Sequence, residues 1–342
     1  MRIIIAAGAL LLLISCGDTP LSLLDPGRAE DVRMIRALCD TAVPTTGSIA
    51  ANVLGINLFP LDDVRTLTEL SNMSVPWIRL DIRWSDIETG DGVYDWHTCD
   101  ALVHEVANQN KQILGIINHW PGWINNDYEK LSNRIERFAE AIANRYRPGG
   151  VLSQITTIPT NYGIRYWEIF NEPNLQGYGW NAPVNPAQYA IVLARANIGI
   201  HRADAAAAIL MAGLSPDGYP WEKFMQMMCH LHALNCVDII NFHPYGWADR
   251  FPELIAKISN VMRPYGVPMK PVWFTEFGTS EEQMLDAILI KGLTQRGAAG
   301  GFFWFCLRDI RPDSEKYGLL RYDFSKKTAY HLFTNYLHQN GW

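Results

Sequence analysis

Eight short apolar runs, separated by stretches with helical periodicity, constrain this chain more than any other feature of its sequence. They fall near residues 52–57, 77–81, 112–117, 164–170, 208–213, 237–242, 272–275 and 301–305. Most are continuously apolar rather than alternating, the pattern of parallel strands covered on both faces. Between two of them Leu131, Ile135, Phe138 and Ile142 recur at helical spacing and lay one apolar stripe. Asn185 followed by Pro186 reads as an N-cap with proline at the first helical position. Ser280 before Glu281 and Glu282 reads as another helix start with acid in the first turn. A final helix is expected over about 326–337. Eight strands alternating with helices predict an α/β chain folded as a single (β/α)8 TIM barrel. An open, doubly wound sheet is the alternative, but it would bring a glycine-rich first turn for a nucleotide, and none is present.

Of the 342 residues, 48% are hydrophobic and 19% charged, enough for a large core. The net charge of −6, with no run of Lys or Arg, makes nucleic acid and anionic membrane surfaces poor partners. The first residues differ from the rest. Met1 and Arg2 precede an apolar stretch over 3–14, too short to span a bilayer comfortably but suited to a secretory signal. "LISC", ending at Cys16, resembles a bacterial lipoprotein cleavage box, which implies a cut before Cys16 and acylation of its sulfur. An ordinary signal peptide with an incidental Cys16 is the alternative. The expected organisation is a signal with lipobox over 1–16, a tether with a short helix near 29–39 over 17–48, and the barrel over 49–342. The expected protein is an exported monomer, either a cell-envelope lipoprotein (periplasm or outer membrane) or secreted, touching a membrane only through Cys16. Export permits disulfides, with Cys229–Cys236 and Cys39–Cys99 as candidate pairs and Cys306 as a buried thiol.

In such a barrel, chemistry sits where strands end at the C-terminal face. "WEIFNEPN" is one such end: the apolar run stops on Asn171 and Glu172, and Pro173 prevents the ladder from continuing. "PVWFTEFG" places Glu276 at the end of the seventh strand. Glutamates on separate strands can face each other across the mouth, as glycoside hydrolysis requires: one protonates the leaving oxygen, the other attacks the anomeric carbon. Taken singly, each also reads as a surface or ion-paired carboxylate.

This pair of motifs resembles the clan A retaining glycoside hydrolases over roughly residues 50–337, closest to family 39, with family 5 next. The resemblance implies Glu172 as acid/base and Glu276 as nucleophile, with Asn171 as the amide that bonds the sugar 2-hydroxyl. "WIRLDIRW" offers Arg79, like the clan arginine that holds the nucleophile ionised. "NFHPYGW" offers His243 and Tyr245, like the pair beside the nucleophile. "GIINHWPGW" offers His119 and Trp120, and "GFFWF" offers Trp304, like the tryptophan under the sugar. Family 39 xylosidases usually carry an extra β-rich domain, for which no sequence remains after the last helix, so a barrel-only glycanase is expected.

Other readings stay open. Arg79 equally suits a structural salt bridge, with Asp81 as its partner. His119 and His243 with the glutamates suit a metal ion, although no HxH or HExxH spacing is present; no metal or cofactor is expected. Seven of the twelve tryptophans fall in or after strand ends at the predicted mouth, suggesting a lined cleft. Tyr178 and Trp180, in the loop after Glu172, are the candidate subsite walls. The expected function is a retaining β-glycosidase acting within a polysaccharide or oligosaccharide. A non-catalytic carbohydrate-binding barrel lipoprotein and a metal-dependent hydrolase are the alternatives.

Overall fold

The structure is a computed structural model and describes residues 29–59, 64–125, 127–178, 180 and 183–341. The expected signal and lipobox, with Cys16, lie outside the described residues. All eight expected runs form strands. The chain lays down β1 (Val53–Leu58), β2 (Trp77–Arg83), a small hairpin of β3 (Glu88–Gly90) and β4 (Val93–Tyr94), then β5 (Gln112–Asn118). β6 (Tyr166–Ile169), β7 (Ala208–Met211), β8 (Ile240–Asn241), β9 (Val272–Phe277) and β10 (Gly301–Trp304) follow. The hairpin is antiparallel and was not read from the sequence. The other eight strands pair in parallel in the order β7-β6-β5-β2-β1-β10-β9-β8. Parallel bridges from Leu210 to Ile239 and from Leu214 to Phe242 bring β7 back beside β8. The result is a nearly closed (β/α)8 barrel.

The barrel interior changes character along its axis. At the end where the strands begin it is an apolar plug of Val53, Leu114, Leu210, Ile239, Trp273 and Phe303. Tyr166 stacks on Trp273 at 5.3 Å, and Trp77 packs edge-on to both. Large rings fit because neighbouring strands supply glycine: a Cβ at Gly55 would lie 2.3 Å from the ring of Phe303, its partner on β10. The chain entering β1 closes this end from below, where the Ala50 N–H donates to the Tyr166 hydroxyl and that hydroxyl donates to the Ser48 carbonyl. Only the end where the strands stop is left for polar groups.

The helices follow their signals closely. Tyr128–Tyr146 buries the Leu131, Ile135, Phe138 and Ile142 stripe, and Asp127 caps it by accepting from the Lys130 N–H. Asn185 caps Pro186–Ala203 through the N–H groups of Ala187 and Gln188. The short helix Ala29–Cys39 lies where the sequence places it. Ser280 does not cap a helix. Thr279 takes the Glu281 N–H, and a 3-10 turn over Glu282–Met284 intervenes before the helix Leu285–Gln295. The last helix is Thr328–Gln339. No helix among the described residues is long and apolar enough to cross a membrane.

Neither candidate disulfide forms. Cys39, Cys99, Cys229 and Cys236 are unbridged and buried, and Cys306 is buried as expected. The elements carrying them settle the matter. Cys99 sits beside Tyr146, whereas Cys39 packs on Pro186–Ala203 and its carbonyl accepts from Cys236 Sγ at 3.9 Å. Burial pushes the Cys99 and Cys229 thiols up to about 12, so neither offers a reactive thiolate.

Helices Tyr128–Tyr146 and Pro186–Ala203 touch so closely that a Cβ on Gly199 would lie 2.1 Å from the Glu136 carbonyl oxygen. Glycine inside a helix ordinarily costs about 0.5–1 kcal/mol relative to alanine. Here the collision outweighs that gain, since overpacking costs about 1–3 kcal/mol. Gly199→Ala is therefore expected to lower unfolding free energy in urea, against the usual helix rule; a variant as stable as the native chain would refute the close contact.

Candidate active site

The strand end that carries Asn171 and Glu172 is shaped by backbone strain. The Phe170 N–H still donates to the Ile117 carbonyl, so the ladder with β5 runs to that point. Phe170 then turns to φ +63° and Glu172 to φ +40°, left-handed values that non-glycine residues adopt at a cost of about 1–3 kcal/mol each. Packing holds both. The Phe170 ring is wedged edge-on between Trp120 and Trp180, 5.7 Å from each. Asn174 donates to the carbonyls of Ser215, Asp217 and Tyr219 and accepts from the Ser215 N–H, clamping this loop to the one after β7. The strand stops on polar residues because its neighbours force the chain to turn and present them at the mouth.

Arg79 lies inside that mouth, and its five N–H donors all have acceptors. Nε and Nη2 bind Glu168 at 2.7 and 2.9 Å, and Nη2 also reaches Asn171 Oδ1 at 2.9 Å. Nη1 reaches Glu276 Oε1 and Asn57 Oδ1, each at 2.7 Å. Asn57 is fixed in turn by donating to the Thr275 and Trp304 carbonyls. Asp81 is not the partner of Arg79; it sits 3.5 Å from Arg83. Although burial opposes a charged guanidinium, Glu168 and Glu276 outweigh it and keep Arg79 firmly protonated.

His243 joins the two glutamates. Its Nδ1 is 2.8 Å from Glu172 Oε1 and 3.6 Å from Glu276 Oε2, and its Nε2 is 3.1 Å from the Thr275 hydroxyl. Burial works against the charged ring, but Glu276 and Glu172 overcome it and raise the histidine above its usual value. Tyr245 donates to Glu276 Oε2 at 3.2 Å, and burial raises its phenol so that it stays a donor. One donor atom each from Glu172, His243 and Glu276 lie within 4.8 Å of one another, a spacing that a divalent cation also fits.

The remaining candidates divide. His119, at φ +52°, sits at the end of β5 with Asn118 Oδ1 on its N–H. Burial lowers its ring and raises the nearby Asp81 carboxyl. Asn171 donates to the backbone carbonyl of Tyr178, a residue that is 62% exposed. Trp180, expected as a subsite wall, is fully buried among Trp120, Phe170 and Tyr189. Trp304 is also covered, donating to the Tyr317 carbonyl, with the Phe277 ring nearly perpendicular to it at 5.8 Å. Trp84, Trp120 and Trp221 are buried as well, so most of the expected cleft lining is packing.

Sequence reading missed Glu168, Asn57, Thr275 and Gly213. Glu168 carried a signal: a lone carboxylate inside an apolar strand run must be paired. Gly213 matters for space, because a Cβ there would lie 2.0 Å from His243 Nε2.

A family model described as the glycosyl hydrolase catalytic core matches residues 108–309, which include both glutamates. The chain belongs to that family. This hydrolase resembles in fold a family 39 glycoside hydrolase from Bacteroides cellulosilyticus, at 18% identity and a TM-score of 0.65, covering 84% of this chain and 63% of that one. It also resembles a monomeric β-xylosidase from Caulobacter crescentus, at 16% identity and a TM-score of 0.64, covering 87% and 70%. Xylanase 10B from Thermotoga petrophila, solved with xylobiose, aligns at 14% identity and a TM-score of 0.59, covering 84% and 94%. The hydrolase thus spans less than two thirds of the family 39 chain.

Two outcomes follow for His243. Gly213→Ala is expected to displace the ring and reduce turnover about 100-fold, the usual effect of a misplacement near 1 Å, with an unchanged circular dichroism spectrum; unaltered turnover would rule out the close packing. The charged ring stabilises the fold fully below the unfolded histidine value of 6.5, and that contribution is lost as pH rises through the higher native value. Urea midpoints should therefore fall more steeply with pH across that interval in the native chain than in His243→Gln.

Proposed function

We propose that this hydrolase is a retaining β-glycosidase in which Glu172 protonates the leaving oxygen and Glu276 attacks the anomeric carbon. One observation carries the reading: an oxygen of Glu172, in the loop just past β6, and an oxygen of Glu276, on β9, lie within 4.8 Å of each other. Retaining enzymes hold their carboxyl groups about 5–5.5 Å apart, whereas inverting ones leave about 6.5–9.5 Å for a water. The bonds support the same division of labour. Glu276 Oε1 is held by Arg79, while its Oε2 accepts a single hydrogen bond, from the Tyr245 phenol, with His243 Nδ1 3.6 Å away, which leaves an oxygen to form the glycosyl ester. Glu172 meets the His243 ring, a group able to exchange a proton with it in both steps. Asn171, fixed by Arg79 and the Tyr178 carbonyl, is placed to bond the 2-hydroxyl.

The proposed substrate is a β-linked polysaccharide or oligosaccharide cleaved internally. The exposed Tyr178, whose backbone carbonyl is bonded to Asn171, supports a sugar chain running past the cleavage point. His119, with its ring held neutral by burial, is a candidate partner for a hydroxyl on the other side. We also propose export and acylation at Cys16; incorporation of labelled fatty acid, lost in Cys16→Ala, tests this.

Aryl β-glycosides test the chemistry. Glu276→Ala is expected to lose hydrolysis and to regain turnover with azide, yielding a glycosyl azide. Glu172→Gln is expected to slow poor leaving groups far more than good ones, because only poor ones need the proton. Equal slowing across the series would reject the acid role. The spacing of Glu172, His243 and Glu276 also favours a metal-dependent hydrolase as a second reading; full activity after exhaustive chelation would eliminate it. A fall in viscosity that outpaces the release of reducing ends would support internal cleavage.

A further inference from the structure

Glu168 has no place in a two-carboxylate scheme, yet it accepts more hydrogen bonds than either Glu172 or Glu276. It lies on β6, four residues before Glu172, with no exposed surface. Its oxygens take Arg79 side-on, Oε2 accepting from Nε and Oε1 from Nη2. Oε1 also accepts from the Gly213 N–H at 3.2 Å and from the Thr275 hydroxyl at 3.3 Å. That hydroxyl is 3.1 Å from His243 Nε2, and His243 Nδ1 is 2.8 Å from Glu172. In the other direction, Arg79 Nη1 is 2.7 Å from Glu276. Two short chains of hydrogen bonds thus leave Glu168, one ending on each glutamate of the proposed pair.

We infer that Glu168 is the shared positioning residue of both: it occupies the fork of Arg79 so that a single N–H reaches Glu276, and through Thr275 it orients the imidazole that supports Glu172. The roles of Glu172 and Glu276 rest on the glycosidase reading; the linkage does not. The chemistry calls for a carboxylate at this point. A guanidinium pairs most strongly with a carboxylate side-on, through two parallel bonds. Were its fork free, Arg79 would grip both oxygens of Glu276 and blunt the nucleophile. With Glu168 in the fork, Glu276 Oε2 is free of Arg79 and accepts one hydrogen bond, from the Tyr245 phenol, with His243 Nδ1 3.6 Å away. The hydrogens also balance. With Nε2–H and the Asn241 amide donating to the Thr275 oxygen, the Thr275 hydrogen is left for Glu168 Oε1 or Asn241 Oδ1.

The test reads the linkage without needing turnover. Glu172, Glu276, Arg79 and Tyr245 face the His243 ring, while Arg79, Thr275 and the Tyr189 phenol face Glu168. Removing a negative charge behind Thr275 makes the imidazolium easier to deprotonate. NMR titration of the histidine-labelled full chain is therefore expected to give a His243 midpoint lower by at least about half a unit in Glu168→Gln. This holds whether or not a sugar substrate is found, so it stands apart from the fate of the glycosidase reading. On an aryl glycoside that the native enzyme cleaves, kcat should fall about 100-fold with KM little changed, and both limbs of the pH profile should move to lower pH. A merely structural defect would reduce the active fraction and leave the limbs in place. If Glu168→Gln does not fold, Thr275→Val severs only the histidine branch and should lower the His243 midpoint alone, moving the alkaline limb and sparing the acid one. A His243 midpoint unchanged in the variant that folds overturns the inference.

Discussion

One buried guanidinium organises the mouth of this barrel. Burying a charge costs several kcal/mol per ion and is recovered only when the geometry is complete. Arg79 meets that condition with five donors and five acceptors, drawn from β1, β6, β9 and the loop that follows β6. Its bonds fix Glu276, Asn171 and Asn57 together, so three strand ends share a single electrostatic centre. With a proton on Glu172, the charges of Glu168, Glu276, Arg79 and His243 cancel. The proposed reaction then starts from a neutral site, which is the arrangement a low-dielectric interior tolerates best.

The barrel makes that centre possible by dividing its interior. The aromatic plug at the strand starts gives the sheet its packing, while glycines on neighbouring strands make room for the rings. The polar layer above it is fixed by Asn57, Arg79, Glu168, Thr275 and Glu276, which stand on strands already held by their neighbours, while Asn171, Glu172 and His243 follow just past strand ends. At the mouth, left-handed backbone falls on His119 after β5 and on Phe170 and Glu172 after β6, where the Trp120, Phe170 and Trp180 wedge and the Asn174 clamp hold the last two. Energy from packing therefore supports an unfavourable backbone where chemistry needs it.

Much of this was legible beforehand because the strand ends announce themselves: Asn171, Glu172 and Glu276 interrupt apolar runs, and such interruptions locate a mouth. Glu168 was hidden by the same logic, since a residue inside a run reads as strand and not as site. The tryptophans misled for a different reason. Placement near the mouth says where an indole begins, but loop conformation decides which way it turns, and Trp180 and Trp304 turn inward. Cysteine pairing failed because spacing along the chain carries no information about which elements meet. Cys39 reaches Cys236 through the packing of the first helix, not through proximity in sequence.

Saturation of the Arg79 bonds carries an evolutionary consequence. A fully satisfied cluster has no spare valence, so exchanging any one member strands its partners, and drift there is penalised on every side. Loops such as the one bearing Tyr178 touch the cluster at only a point or two. Descendants of this chain are thus free to acquire appetites for new sugars by rewriting their rims, while the engine beneath is inherited whole.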